Sequence, residues 1–91
     1  MKRSLKNVRI YDSGDKYIDR YTAVYLFEPE YKPGTYSGRG MSSHPFSPQG
    51  FGCSTVVTPG RHLGKRIKFE ELPADCQKLI LQDIGDENET H

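Results

Sequence analysis

KNVRIYDSGDKYIDRYTAVYLF, residues 6–27, is the stretch whose reading decides the fold. Val8 and Ile10 alternate with Arg9 and Tyr11, the period of a strand with one face buried. DSGD follows as a turn signal, with Gly14 free to take positive φ. KYIDRYTAVYLF is rich in aromatic and β-branched residues and reads as a second strand. A hairpin centred on Gly14 sets Arg9 opposite Asp19 and Ile10 opposite Ile18. One face then carries Val8, Ile10, Ile18, Val24 and Leu26. The other carries Arg9, Tyr11, Tyr17, Asp19, Tyr21 and Tyr25. A one-residue slip would exchange the faces, so this register predicts an aliphatic side for a helix and a tyrosine side needing another cover.

That helix is expected over about 73–84, in LPADCQKLILQDIG. Pro73 suits a first helical position. Glu70, Glu71 and Asp75 sit near the positive end of the helix dipole. Cys76, Leu79, Ile80 and Ile84 recur at helical spacing, and Gly85 is placed as the C-terminal stop. Just before it, KRIKFE alternates Ile67 and Phe69 with Arg66 and Lys68, predicting a strand near 65–70. The expected class is α+β: a small antiparallel sheet, one C-terminal helix and a long Gly/Pro-rich loop.

The chain of 91 residues is read as one domain, 1–91, with a Gly/Pro-rich excursion over 28–64 and a frayed acidic tail over 85–91. A domain this small buries little more than ~60% of its unfolded surface, so self-association is expected to help it. The excursion holds seven of the nine glycines and five of the six prolines, with short strand candidates only at GTYSG and STVV. So long a connection is usually functional or disordered. Its aromatic and aliphatic residues argue for packing, and the tyrosine face is its expected seat.

Net charge is +1. No bulk charge therefore demands nucleic acid or a membrane surface. Met1-Lys2-Arg3 opens the chain without an apolar run, so neither signal peptide nor membrane span is expected, and the expected location is the cytoplasm. Two cysteines make no disulfide framework in a reducing compartment.

Three groups of residues point to binding. SGRG and QGFG could bring backbone N–H groups close to an anion, and Arg39 adds a fork suited to phosphate. Neither is a Walker loop or a G-x-G-x-x-G before a helix, so they name no nucleotide class. Arg61, His62, Lys65 and Arg66, flanked by Gly60 and Gly64, could contact phosphates or simply form a solvated strand edge that resists pairing. The tyrosine face could stack a base or sugar, with Arg9 beside it for cation–π or phosphate contact, and Tyr36, Phe46 or Phe51 could stack on a base, with His44 completing the ligand set. The bland reading of these aromatics is packing.

No catalytic spacing is present. His44 or His62 could serve as acid or base and Cys53 as nucleophile, but no carboxylate is placed to orient a histidine. His44, Cys53, His62 and Cys76 include no close ligand pair of the C-x-x-C kind. No cofactor or metal is expected.

RIYD and DRYT in the hairpin, GMSSHPFSPQGFG, and HLGKRIKFEELPADCQKLILQD together resemble a family of small proteins carried by phages, prophages and plasmids, over roughly Val8 to Ile84. The resemblance implies no catalytic residue. It implies a non-catalytic binder in the host cytoplasm, of counter-defence type. Two occupants stay open: a small anionic, nucleotide-type ligand, or a host defence protein that the loop's aromatics would inhibit by contact. A nucleic-acid binder and a small hydrolase are the remaining alternatives. A homo-oligomer is expected.

Overall fold

The computed structural model describes residues 2–14, 20–48, 50 and 52–85. It is an α+β fold of one five-stranded antiparallel sheet and one C-terminal helix. The strands are β1 (Val8–Asp12), β2 (Tyr21–Pro29), β3 (Tyr36–Met41), β4 (Gly52–Val57) and β5 (Lys65–Ile67), and the helix is α1 (Ala74–Ile84). Their order across the sheet is β4-β3-β2-β1-β5.

The hairpin exists, but in another register. Ile10 faces Ala23, five positions beyond Ile18, and Arg9 faces Val24 rather than Asp19. An odd offset exchanges the two faces of β2 against β1. Tyr21, Ala23 and Tyr25 therefore join Val8 and Ile10 in the core under the helix, while Val24 packs with Tyr11 on the opposite side. The reason lies in the connection. Ser13 N–H donates to the Arg20 carbonyl at 2.8 Å, and the Asp12 carboxylate accepts from Gly14 N–H at 2.7 Å and from Arg20 Nε at 3.0 Å. These bonds close a longer loop than a turn on Gly14. Gly14 does take positive φ, 70°. Tyr17, Ile18 and Asp19 lie outside the described residues.

Most of the Gly/Pro-rich stretch does not lie over a sheet face as expected; only its last part, residues 58–64, does. The rest extends the sheet edge-on: β3 pairs with β2 and β4 pairs with β3, both antiparallel. Gly38 explains part of this. A Cβ there would come within 2.6 Å of both the Ala23 carbonyl oxygen and Val57 Cγ1, so only glycine lets the strands meet at that point. Of its apolar side chains, Met41 and Val57 are buried, whereas Tyr31, Phe46 and Val56 are exposed.

α1 closes one face. Cys76, Ile80 and Ile84, one per turn, are buried against β1–β3, with Leu72 leading in. Each fully buried aliphatic side chain of this kind contributes about 1.5–3 kcal/mol. Leu79 is only half-buried and lies against Gly52. The helix begins one residue after Pro73 and stops at Gly85, whose left-handed φ of 77° lets its N–H reach the Gln82 carbonyl at 3.1 Å. KRIKFE splits into β5 and a single 3-10 turn at Phe69–Glu71.

The other face is closed by chain geometry. β4 and β5 lie at opposite edges and, four strand spacings apart in an antiparallel series, run in the same direction. Residues 58–64 must cross the sheet, a lateral span of about 19 Å at ~4.8 Å per strand. Eight residue steps reach roughly 26–29 Å, which leaves little slack. This strap carries a 3-10 turn, Arg61–Leu63, and packs Leu63 against Tyr11, Val24 and Val57. It ends at Gly64, where φ is 113° and a Cβ would stand 2.3 Å from the Asp12 carbonyl oxygen. No helix among the described residues is long and apolar enough to cross a membrane.

Candidate functional site

The ten candidate residues separate into groups that the fold keeps apart. Alternation along β3 puts Arg39 on the helix side, with Met41, and Gly38 on the strap side. There Arg39 is engaged by the helix. Its Nε and Nη2 donate to the two carboxylate oxygens of Asp83 at 2.6 and 2.7 Å, a side-on fork. The Tyr25 hydroxyl donates to the same carboxylate. Arg3 Nη2 donates to the Asp83 carbonyl oxygen at 2.6 Å, and Arg3 also lies over Phe27 and pairs with Glu28 at 3.3 Å.

Both partners of the Arg39–Asp83 pair keep less than a fifth of their side-chain surface. The hydrogen bonds to Asp83 hold the guanidinium above its ordinary pKa. Burial first, then the bond to Asp83, push the Tyr25 phenol well above its ordinary 10.0, so it remains a donor. A polar cavity of about 200 Å³ opens beside this cluster, where the β2–β3 register shifts, lined among others by Ser37, Ser54 and Glu28. Its charged lining is two arginines and two carboxylates, already paired across it.

The opposite face has a different electrostatic character. The β1–β2 and β1–β5 registers put Arg9 and Arg66 on the side of Tyr11 and Val24. The strap adds exposed Arg61 and His62 over the same face. The only acidic residues in the five strands are Asp12 and Glu28. Asp12 alternates to the helix side, where it pairs with Arg20, and Glu28 lines the cavity beside Asp83. Among the described residues of strands and strap, this face holds Arg9, Arg61, His62 and Arg66 and no carboxylate. Lys65 falls opposite Asp12, on the helix side of β5, and adds to the charge that holds the Asp12 carboxyl below its ordinary value. Tyr36 sits on the cationic side but packs against Val57 and Val24, as the bland reading of the aromatics holds.

His44 and Phe46 occupy a third place, the tip joining β3 to β4. Ser47 N–H donates to the His44 carbonyl, and Gly50 N–H to Ser47. Phe46 is half-exposed with the Lys78 ammonium 5.6 Å from its ring centroid. Ser42, Ser43, His44, Ser47 and Gly50 line a shallow cavity of about 250 Å³. Phe51 lies outside the described residues. The single wall expected from SGRG and the basic run is therefore not what Arg39, Arg61 and Arg66 form: Arg39 faces the helix and the other two lie across the sheet from it.

Cys53, which could have served as a nucleophile, is exposed on β4, while Cys76 is buried, with its thiol pushed up to about 11 chiefly by burial and directed at the Ser42 carbonyl. No group of three or more His, Cys, Asp or Glu side chains among the described residues could hold a metal ion. Asp83, the residue that fixes Arg39, was not a candidate from sequence. Its position seven residues after Cys76 and three after Ile80, on the apolar face of the helix, is the available signal.

No protein-family model matches the chain, and neither a curated protein nor a solved structure is significantly similar to it.

Proposed function

We propose that the protein is a non-catalytic binder that holds a small anionic, nucleotide-type ligand against the strap-covered face of its sheet. The observation that carries this reading is the separation of charge: Arg9, Arg61, His62 and Arg66 on a face whose strands and strap bring no carboxylate. A net charge of +1 conceals this, because the strand carboxylates Asp12 and Glu28, with Asp83 of the helix, lie on the helix side. Arginine forks suit phosphate oxygens. The resemblance to proteins of phages and plasmids supplies the setting, sequestration of a nucleotide signal in a host cytoplasm.

A melting assay against a panel of mono-, di- and cyclic nucleotides tests this. A true ligand at 100 times its Kd stabilises the fold by about 2.7 kcal/mol. Arg61→Ala and Arg66→Ala should remove the shift, and Arg39→Ala should not act through the ligand. A panel without any shift, or a shift that survives both substitutions, overturns the reading.

The exposure of Phe46 and Val56 favours a second reading, contact inhibition of a host defence protein. Exposed aromatics can anchor such interfaces. Its mark would be a stoichiometric complex with one host enzyme that forms without nucleotide and is lost on Phe46→Ala.

A further inference from the structure

The two edges of the sheet are built differently. β5 is three residues long and carries Lys65 and Arg66, and short charged edges resist pairing with another chain. β4 is six residues long, GCSTVV, with no charge and no proline, and every residue from Gly52 to Val56 is exposed. Val56 keeps 59% of its surface. One side of β4 is bonded to β3; the other is the end of the sheet. An uncharged edge of this length presents a row of unpaired backbone donors and acceptors.

We infer that β4 pairs antiparallel with β4 of a second copy of this chain, joining two five-stranded sheets into one. The occupant follows from the strand's own composition. A two-fold interface presents the same patch twice, so it must tolerate each residue opposite its own strand. β4 does, because no like charges meet; β5, centred on either cation, would set Lys65 or Arg66 against itself. A two-fold axis normal to the sheet gives antiparallel strands and keeps corresponding faces on one side. Opposed residues must then share a face, which limits the centre of the pairing to a residue. Centred on Thr55, it sets Cys53 opposite Val57 and Ser54 opposite Val56. Centred on Ser54, it sets Cys53 opposite Thr55. The same operation places the two strap-covered faces side by side. The inference stands on the edge alone and does not rest on the nucleotide reading.

Sedimentation of the full chain over a concentration series, without nucleotide, is the test. The expected mass rises from 10.4 kDa towards twice that value. Val56→Lys, an exposed change checked for native circular dichroism, should return the chain to monomer across the series. In a Cys53→Ser background, oxidation should yield a disulfide-linked dimer from Thr55→Cys or Ser54→Cys, and none from Lys65→Cys on the other edge. A chain that is monomeric throughout overturns the inference. So does a dimer that Val56→Lys leaves intact, or cross-linking that is equally efficient at Lys65→Cys.

Discussion

The two faces of this sheet are closed by different means. On one, α1 supplies a buried side chain every turn and shares a core with Val8, Ile10, Tyr21, Ala23, Tyr25 and Met41. On the other, a seven-residue strap supplies Leu63 over Tyr11, Val24 and Val57. The first closure depends on side-chain volume, the second on chain length and glycine geometry. The face that asks little of side chains is the one whose exposed positions carry the arginines. Most of the buried apolar core and the cations Arg9, Arg61 and Arg66 therefore lie on opposite sides of one sheet.

The comparison breaks first at Ile80, which is fully buried. Ile80→Ala should cost about 2–5 kcal/mol, read as a lower denaturant midpoint, and Leu79→Ala should cost less because Leu79 is only half-buried. Equal costs would mean that the helix presents another face. Next is the cluster at the end of α1. Asp83→Asn removes the ionic partner of Arg39 and an acceptor of Tyr25 from a largely buried site, and should cost about 1–3 kcal/mol in the same measurement.

Asp12 tests the edge between the faces. Hydrogen bonds from Arg20 are the main reason that its carboxyl is held below the ordinary 3.8. A depressed folded-state pKa contributes stability that is fully present above the unfolded value and is lost as pH falls through the folded one. Asp12→Asn should therefore cost at most about 1 kcal/mol at neutral pH, and the difference from wild type should begin to shrink near pH 3.8 and vanish only once pH has fallen through the lower folded-state value. A difference that persists there would assign the effect to packing. The smallest change is expected on the strap face itself. Arg61→Ala and Arg66→Ala should move stability by less than about 0.5 kcal/mol, checked by denaturant midpoint, although both should weaken ligand binding.

The elements differ in how far the sequence reveals them. α1 was legible because its apolar spacing, its proline and Gly85 all agree, and β5 because Ile67 alternates with charges. β3 and β4 were visible only as short candidates. Gly38 and Gly40 carry no side chain, so the alternation that would mark a paired strand is blank where the pairing is tightest. The register of β2 was not legible because it is set by Asp12, Arg20 and Ser13 in a long connection, not by a turn type. The basic run could be read directly. That Arg39 belongs to the other side could not, since its partner lies 44 positions away and meets it only when β3 and α1 are both in place.

The crossing of residues 58–64 also bears on how the chain reaches this structure. β1 to β4 are neighbours in sequence and in space, so that part can assemble by successive hairpin closures. β5 cannot. It pairs with β1, near the other end of the chain, and its joining closes a loop containing nearly all of the sheet. Loop closure of that kind is entropically unfavourable until the contacts it enables are made. Addition of β5 is therefore expected to follow the assembly of β1 to β4.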